Sequence, residues 1–208
     1  MPGIHDFGVF LAAGLLLNLT PGQDTVYILG RSVAHGRAIG IASALGISAG
    51  CLFHTLAAAF GLSTILAASS WAFTALKLLG AAYLIYLGVR MFRTPLAAPE
   101  VDRPGAAVGL AAAFWQGALT NITNPKVALF FLAFLPQFIE ADSASKVAAF
   151  LLLGLTFVAT GTMWCLVLAV SAARIRNLLA PGSRASVLLA RTAGALFIVL
   201  GIRLAAKP

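Results

Sequence analysis

Charged residues are scarce in this chain. Only 10% of its 208 residues are Asp, Glu, Lys or Arg, whereas 61% are hydrophobic, and the mean hydropathy is +0.98. A soluble domain is about 25% charged and about 45–50% apolar. This composition argues against a soluble enzyme and against a disordered protein. At about 20 apolar residues per crossing, the chain has room for six membrane spans.

Cysteine and histidine are also rare. The two cysteines, Cys51 and Cys165, each lie inside an apolar run, and there are three histidines. This is neither a disulfide framework nor a zinc motif. The sequence also has no nucleophile–base motif and no phosphate-binding loop. We therefore expect no enzyme activity, no cofactor and no metal site.

Acidic residues are fewer than basic ones, six against 14, which gives a net charge of +8. The basic residues stand singly between apolar runs, as they do in cytoplasmic loops of membrane proteins. We therefore expect a lipid bilayer as the partner of this surface and no nucleic acid. The N-terminal MPGIHDF lacks the basic segment of a signal peptide, so the first apolar run is expected to remain as a span.

The apolar runs predict an all-α integral membrane protein with a single transmembrane domain at 1–208. Its six spans are expected at about 7–34, 38–67, 71–92, 108–138, 145–173 and 184–206. The proline-rich segment 93–105 indicates the main loop. We expect a first three-helix repeat at 1–92, a connecting loop at 93–107 and a second three-helix repeat at 108–208.

Lys and Arg in the loops predict the orientation. With the N-terminus outside, four basic residues face out and eight face the cytoplasm: Arg31, Arg37, Arg90, Arg93, Arg103, Arg174, Arg176 and Arg184. This bias favours a multi-pass protein of the inner membrane with both termini outside.

A short motif occurs twice. Asn18-Leu-Thr-Pro21 in the first span resembles Asn121-Ile-Thr-Asn-Pro125 in the fourth, 103 residues later. Each half therefore contains three spans, and because three is an odd number the second half enters the membrane with opposite polarity. The sequence thus predicts two inverted repeats, a common plan of transporters.

Both copies are expected to interrupt a helix. Proline removes a backbone donor and clashes with the preceding turn, so the first and fourth helices should break at Pro21 and Pro125. Backbone groups freed by a break cannot face lipid and must line a cavity or bind a ligand. Paired interrupted helices in corresponding positions indicate a transport site, although each alone could be only a kink.

One charged residue follows each break. Asp24 suits a helix N-terminus, where the helix dipole favours negative charge. Lys126 does not, so it should have an anionic partner, either Asp24 or the carboxylate of a ligand. Charges at mid-membrane usually face the interior and serve function. A permanent Asp24–Lys126 bridge without a ligand role stays open.

Further polar residues fall on the same helix faces. Gln116, Thr120 and Asn124 follow at intervals of four, and Asn18 and Thr25 lie together similarly. An acid, a base, amides and helix N-termini would suit a small zwitterion. The candidate substrate-binding residues are Asn18, Thr20, Pro21, Gly22, Asp24, Thr25, Gln116, Asn121, Asn124, Pro125 and Lys126.

The second span carries Gly46, Gly50 and His54 at intervals of four. The glycines indicate close helix packing, inside the chain or at a dimer contact. His54 shares their face and is a proton-coupling candidate together with Asp24, because histidine titrates near neutral pH. A core histidine bonded to a neighbour is the alternative.

The segments LNLTPGQDTVYILGRS, AFTALKLLGAAYLIYLGVRMFR and TNITNPKVALFFLAFLPQF resemble the LysE/RhtB amino-acid exporters over nearly the whole chain. The resemblance implies a six-span inner-membrane exporter of amino acids or related metabolites, driven by the proton gradient. The family motif usually reads Pro-Gly-Pro, and Gln23 replaces its second proline here, which softens the expected break. Asp24 and Lys126 stand at matching positions.

The sequence thus predicts a secondary transporter that exports a small amino acid or a derivative by alternating access around the two breaks. A homodimer is left open. One alternative is a metal-ion or other small-ion exporter that uses Asp24 and His54. The other is a membrane thiol-redox conduit that uses Cys51 and Cys165.

Overall fold

The computed structural model describes residues 3–64, 70–93, 108–140, 143, 145–180 and 182–206. Within these ranges all regular structure is helical, apart from one isolated antiparallel bridge between Ile4 and Ile139. Most of the predicted connecting loop, 94–107, lies outside the described residues. The all-α prediction is thereby confirmed.

Eight helices follow one another along the described chain. They are α1 (Phe7–Leu19), α2 (Gln23–His35), α3 (Arg37–Ala57, continued by a π-helical turn at Ala58–Leu62), α4 (Ser70–Arg93), α5 (Leu110–Ile122), α6 (Pro125–Leu129, continued by a π-helical turn at Phe130–Phe134 and a 3-10 turn at Leu135–Phe138), α7 (Lys146–Leu178) and α8 (Arg184–Ala206).

Three of these segments are long and apolar enough to cross a membrane, namely Arg37–Leu62, Lys146–Ile175 and Arg184–Arg203. A fourth is the bent pair Leu110–Ile122 and Pro125–Phe138, whose axes differ by 47°. The structure therefore supports three to four candidate spans in the described chain. The other two predicted crossings, which need α1 with α2 and also α4, stay a prediction.

The structure has a helix interruption at each of the two predicted breaks. α1 ends at Leu19 and α2 begins at Gln23, on either side of Pro21. α5 ends at Ile122, and α6 restarts with Pro125 as its first residue. Proline suits this first position because the missing N–H would have no partner there. The Asn124 side chain then caps α6 by accepting from the Lys126 N–H at 3.0 Å.

Glycines bring α3 against α5. A Cβ atom on Gly46 would lie 2.0 Å from the Phe114 carbonyl oxygen, and one on Gly50 would lie 2.6 Å from the Ala118 carbonyl oxygen. The same device joins α4 to α8 through Gly88 and Gly194. Of the two packing roles considered for Gly46 and Gly50, the structure shows the one inside the chain.

Replacing Gly46 with alanine is expected to destabilise the protein. The added methyl group meets backbone, which cannot move aside as a flexible side chain can, and overpacking of this kind costs about 1–3 kcal/mol. Thermal unfolding in detergent should show a lower midpoint for Gly46→Ala. Gly8→Ala is the matched control, since nothing lies within 4 Å of a Cβ atom there. Equal midpoints for both variants would contradict the packing assignment.

The core consists of two apolar clusters. The larger, here called the aromatic cluster, contains Phe10, Phe130, Phe131, Phe134, Phe138, Phe157 and Phe197 among its buried residues. The smaller, here called the aliphatic cluster, contains Ile28, Leu29, Ala44, Ile47, Leu168 and Ala169. The aromatic cluster lies at the end of the bundle where Ile4 pairs with Ile139 and Asp6 lies 3.9 Å from Arg203. The first and last described helices thus meet at one face.

Candidate functional site

A cavity lies where the two helix breaks meet α3 and α7. The volume of the cavity is about 50 Å³, which is room for a few waters. Leu17, Val127 and Phe157 of the aromatic cluster line it, and so does Ile47 of the aliphatic cluster. The cavity therefore lies between the two apolar clusters of the bundle.

Among the described residues, Asp24 is the only acidic one that lines the cavity. It stands in the first turn of α2, whose N-terminus has no side-chain cap. Asn121, at the end of α5, donates from Nδ2 to Asp24 Oδ2 at 2.9 Å. Asp24 Oδ1 and Asn121 Oδ1 are buried and have no hydrogen-bond partner in the part of the chain that the structure describes. This contact joins the two breaks through one carboxylate and one amide.

The Lys126 side chain caps the C-terminal end of α1. Its ammonium nitrogen donates to the carbonyl oxygens of Leu17 and Thr20, each at 2.9 Å. The last carbonyls of a helix lack partners within it, and the helix dipole makes this end attractive to a cation. Between the described Lys126 and Asp24 there is no ion pair within 4.0 Å, so the structure does not contain the permanent bridge that the sequence left open.

The two charges of the site are each placed at a helix end of opposite polarity. Asp24 lies at the positive N-terminus of α2, and Lys126 lies at the negative C-terminus of α1. The fixed charges and the helix ends therefore compensate one another within the site. A ligand without net charge preserves this balance, whereas a lone anion or cation does not.

His54 contacts the end of α5, the first half of the second interrupted helix. Its Nε2 lies 3.2 Å from the Asn121 carbonyl oxygen at the end of α5, and its ring stacks on Phe131 at 5.8 Å. The side chain is 9% exposed and does not line the cavity. This is the bonded core histidine that the sequence offered as the alternative, and its role in proton coupling stays a prediction.

The structure brings most of the predicted site residues together. Those that line the cavity are Asn18, Thr20, Gly22, Asp24, Thr25, Asn121, Asn124 and Lys126. Pro21 and Pro125 do not line it, because they act by interrupting the backbone. Asn18 also donates to Thr160 Oγ1 at 3.2 Å and so joins α1 to α7.

Gln116, also a candidate substrate-binding residue, does not line the cavity. Its side chain is exposed and accepts a hydrogen bond from Arg31 of α2. The spacing of four from Gln116 to Asn124 places both on one face only if the helix is continuous. Because α5 ends at Ile122, the chain turns before Asn124, and the two side chains are separated.

Sequence reasoning missed two hydroxyl side chains on the helices that pass beside the breaks. Ser48 of α3 and Thr162 of α7 line the cavity, and Thr162 donates to Ser48 Oγ at 2.8 Å. Trp164 lines it as well, and its indole N–H is buried with no hydrogen-bond partner among the residues described. No local signal marks Ser48 or Thr162, since isolated hydroxyl residues are common in apolar helices.

Cys51 and Cys165 also line the cavity, from α3 and α7, and both are buried free thiols. In the sequence, each of them lies inside an apolar run, separate from the two prolines that interrupt the helices. The structure brings the breaks to the same space as the cysteines, because α3 and α7 pass beside both interruptions.

Comparison with known proteins gives the family. The family model described as LysE type translocator matches residues 15–207. An uncharacterized membrane protein of Pseudomonas aeruginosa is 32% identical over 98% of this chain and 96% of its own length. A homoserine/homoserine lactone efflux protein of Salmonella typhimurium is 31% identical, with 94% of each chain covered.

A leucine efflux protein of Klebsiella pneumoniae is 29% identical, over 74% of this chain and 73% of its own. No solved structure matches the chain. The family match extends over nearly the whole sequence and includes both helix breaks, the cavity and the residues between them. The chain is a membrane protein that belongs to the LysE type translocator family.

Proposed function

We propose that this protein exports a small amino acid or an amino-acid derivative across the inner membrane, driven by the proton gradient. The observation that carries the proposal is the cavity at the two helix breaks, where Asp24, Asn121 and Lys126 meet. Relatives are named for the efflux of homoserine, homoserine lactone and leucine, which supports an amino-acid cargo.

The charges favour a zwitterion. The ammonium group of an amino acid pairs with Asp24, the one acidic side chain that the described residues contribute to the cavity. Its carboxylate meets the uncapped N–H groups at the start of α2 and the one donor of Lys126 that the α1 carbonyls leave free. Because such a ligand has no net charge, the charges of Asp24 and Lys126 and the dipoles of the helix ends still compensate one another when it is bound.

Alternating access then requires movement around the cavity. We propose six crossings, with α1 and α2 forming one broken span and α5 and α6 the other, and with both termini outside. The two three-helix repeats rock against each other, so that the cavity opens first on the side of the aliphatic cluster and then on the side of the aromatic cluster. A homodimer remains a prediction.

Efflux from cells tests the direction of transport. Cells that overproduce the protein and are preloaded with labelled L-homoserine or L-leucine should lose the label faster than cells with an empty vector. A proton uncoupler should remove the difference. Equal efflux with and without the protein, for a broad panel of amino acids and with the protein present in the membrane, would contradict the proposal.

A thiol conduit is the second candidate, because Cys51 and Cys165 line one cavity. The exporter needs neither thiol, so the double variant Cys51→Ala, Cys165→Ala is expected to keep amino-acid efflux within about twofold of wild type, since losing a small buried side chain without a polar role costs little binding energy. Loss of efflux in a folded double variant would favour the thiol function.

A metal exporter has less support. The described part of the chain holds no group of three or more His, Cys, Asp or Glu side chains that could bind a metal ion. Asp24 and His54 are also engaged separately, one by the Asn121 side chain and the other by the Asn121 carbonyl oxygen.

A further inference from the structure

Asp24 and Asn121 share one hydrogen bond and leave a second one unmade. Asn121 Nδ2 donates to Asp24 Oδ2, while Asp24 Oδ1 and Asn121 Oδ1 are buried and receive no hydrogen bond from any described residue. Asn121 is 2% exposed. A buried acceptor that has lost water and gained no donor is costly, so two such oxygens on adjoining residues need an explanation.

One additional donor satisfies both oxygens. If Asp24 carries a proton on Oδ1, that proton can be donated to Asn121 Oδ1, and the carboxylic acid and the amide then form a pair with two hydrogen bonds. The ammonium group of an amino acid offers three N–H donors and binds the same two oxygens. The proton and the ammonium group compete, because they use the same acceptors and neutralise the same carboxylate.

We infer that Asp24 and Asn121 form a single cation site that holds either one proton or the ammonium group of the substrate, but not both. This inference rests on the proposed function and adds the mechanism of coupling to it. Binding of the amino acid breaks the Asp24 O–H bond and releases that proton to water, while the ammonium group keeps its own protons. Rebinding of a proton expels the amino acid, so one proton is exchanged for one amino acid.

The other titratable groups around Asp24 have separate engagements. They are Lys126 on α6, His54 and Cys51 on α3, and Cys165 on α7. Lys126 donates to two α1 carbonyls, and His54 contacts the Asn121 carbonyl oxygen. Both cysteines are buried thiols. Asp24 is therefore the group that exchanges the proton.

Proton release on binding measures the coupling directly. The purified protein in detergent and weak buffer is mixed with L-homoserine, L-leucine and a panel of other amino acids, and a pH dye reports the released protons. We expect about one proton per bound amino acid. The apparent affinity should fall about tenfold for each pH unit towards acid, where the proton occupies the site.

Asp24→Asn is the informative variant. Asparagine keeps both hydrogen bonds to Asn121, since its amide donates where the acid proton did, but it cannot ionise. The variant should remain folded and release no proton, and it should not bind the amino acid. Asp6→Asn, at an aspartate far from the cavity that pairs with His5 and Arg203, should behave like wild type.

Infrared spectroscopy provides a second readout that needs no ligand. The wild type should show the C=O band of a protonated carboxyl group that is missing from Asp24→Asn, and a bound amino acid should remove it. Binding without proton release, or equal release from Asp24→Asn, would overturn the inference while leaving the carrier function standing. If no amino acid binds, the proposed function fails, and absence of the band from the wild type then overturns the proton-loaded pair as well.

Discussion

Transport driven by a proton gradient is expected to be lost when Asp24 is replaced with asparagine. The variant has nearly the same shape as the wild type but no negative charge for the ammonium group of the substrate. Removing one partner of a buried, hydrogen-bonded charge pair costs about 2–5 kcal/mol, which corresponds to a loss of at least about 30-fold. Initial rates in proteoliposomes with an imposed pH gradient measure this effect.

Folding is not expected to explain the loss. The Asn121 amide can donate to an amide oxygen at position 24 as it does to Asp24 Oδ2. The melting temperature of Asp24→Asn in detergent should therefore equal or exceed that of the wild type. Undiminished proton-driven transport by Asp24→Asn would remove Asp24 from the site and with it the proposed coupling.

The second large effect is expected at Lys126. Lys126→Met retains the length of the side chain but leaves the carbonyl oxygens of Leu17 and Thr20 without their donor. Hydrogen bonds to a charged group contribute about 1.5–3 kcal/mol each, so the end of α1 should loosen and the protein should unfold at a lower temperature. Transport should fall as well, because the cavity loses its shape and the cationic side chain of Lys126.

Two further variants separate these contributions. Lys126→Arg supplies charge and donors and should recover much of the stability, although its larger planar group fits the carbonyls less well. Lys146→Met removes a lysine at the start of α7, away from the breaks, and should leave stability and transport near wild type. If Lys126→Met were as stable and as active as Lys146→Met, the proposed capping of α1 by Lys126 would be wrong.

Local chemistry made the breaks predictable from the sequence. Proline at 21 and at 125 acts on its own turn of helix, so its effect does not depend on the rest of the fold. The ends of most apolar runs were also close to the observed helix ends, and the last span coincides with α8 at Arg184–Ala206. Both signals lie within a few residues of the feature they predict.

Contacts between helices that are distant in the sequence were harder to predict. The sequence indicated that Lys126 needs a negative partner but could not show that this partner is the carbonyl end of α1, 106 residues away at Thr20. Gln116 was assigned to the cavity because a continuous helix was assumed across a break that the same sequence predicted. Ser48 and Thr162 were missed because only the packing of α3 against α7 makes them neighbours.

Counterflow in proteoliposomes tests the central claim most directly. Vesicles that contain the purified protein are preloaded with one unlabelled amino acid from a panel and offered a trace of the same labelled compound outside. The account predicts transient accumulation of label for at least one small amino acid, with none in protein-free vesicles. If folded protein gives no accumulation above protein-free vesicles for any member of the panel, the protein is not the amino-acid carrier proposed here.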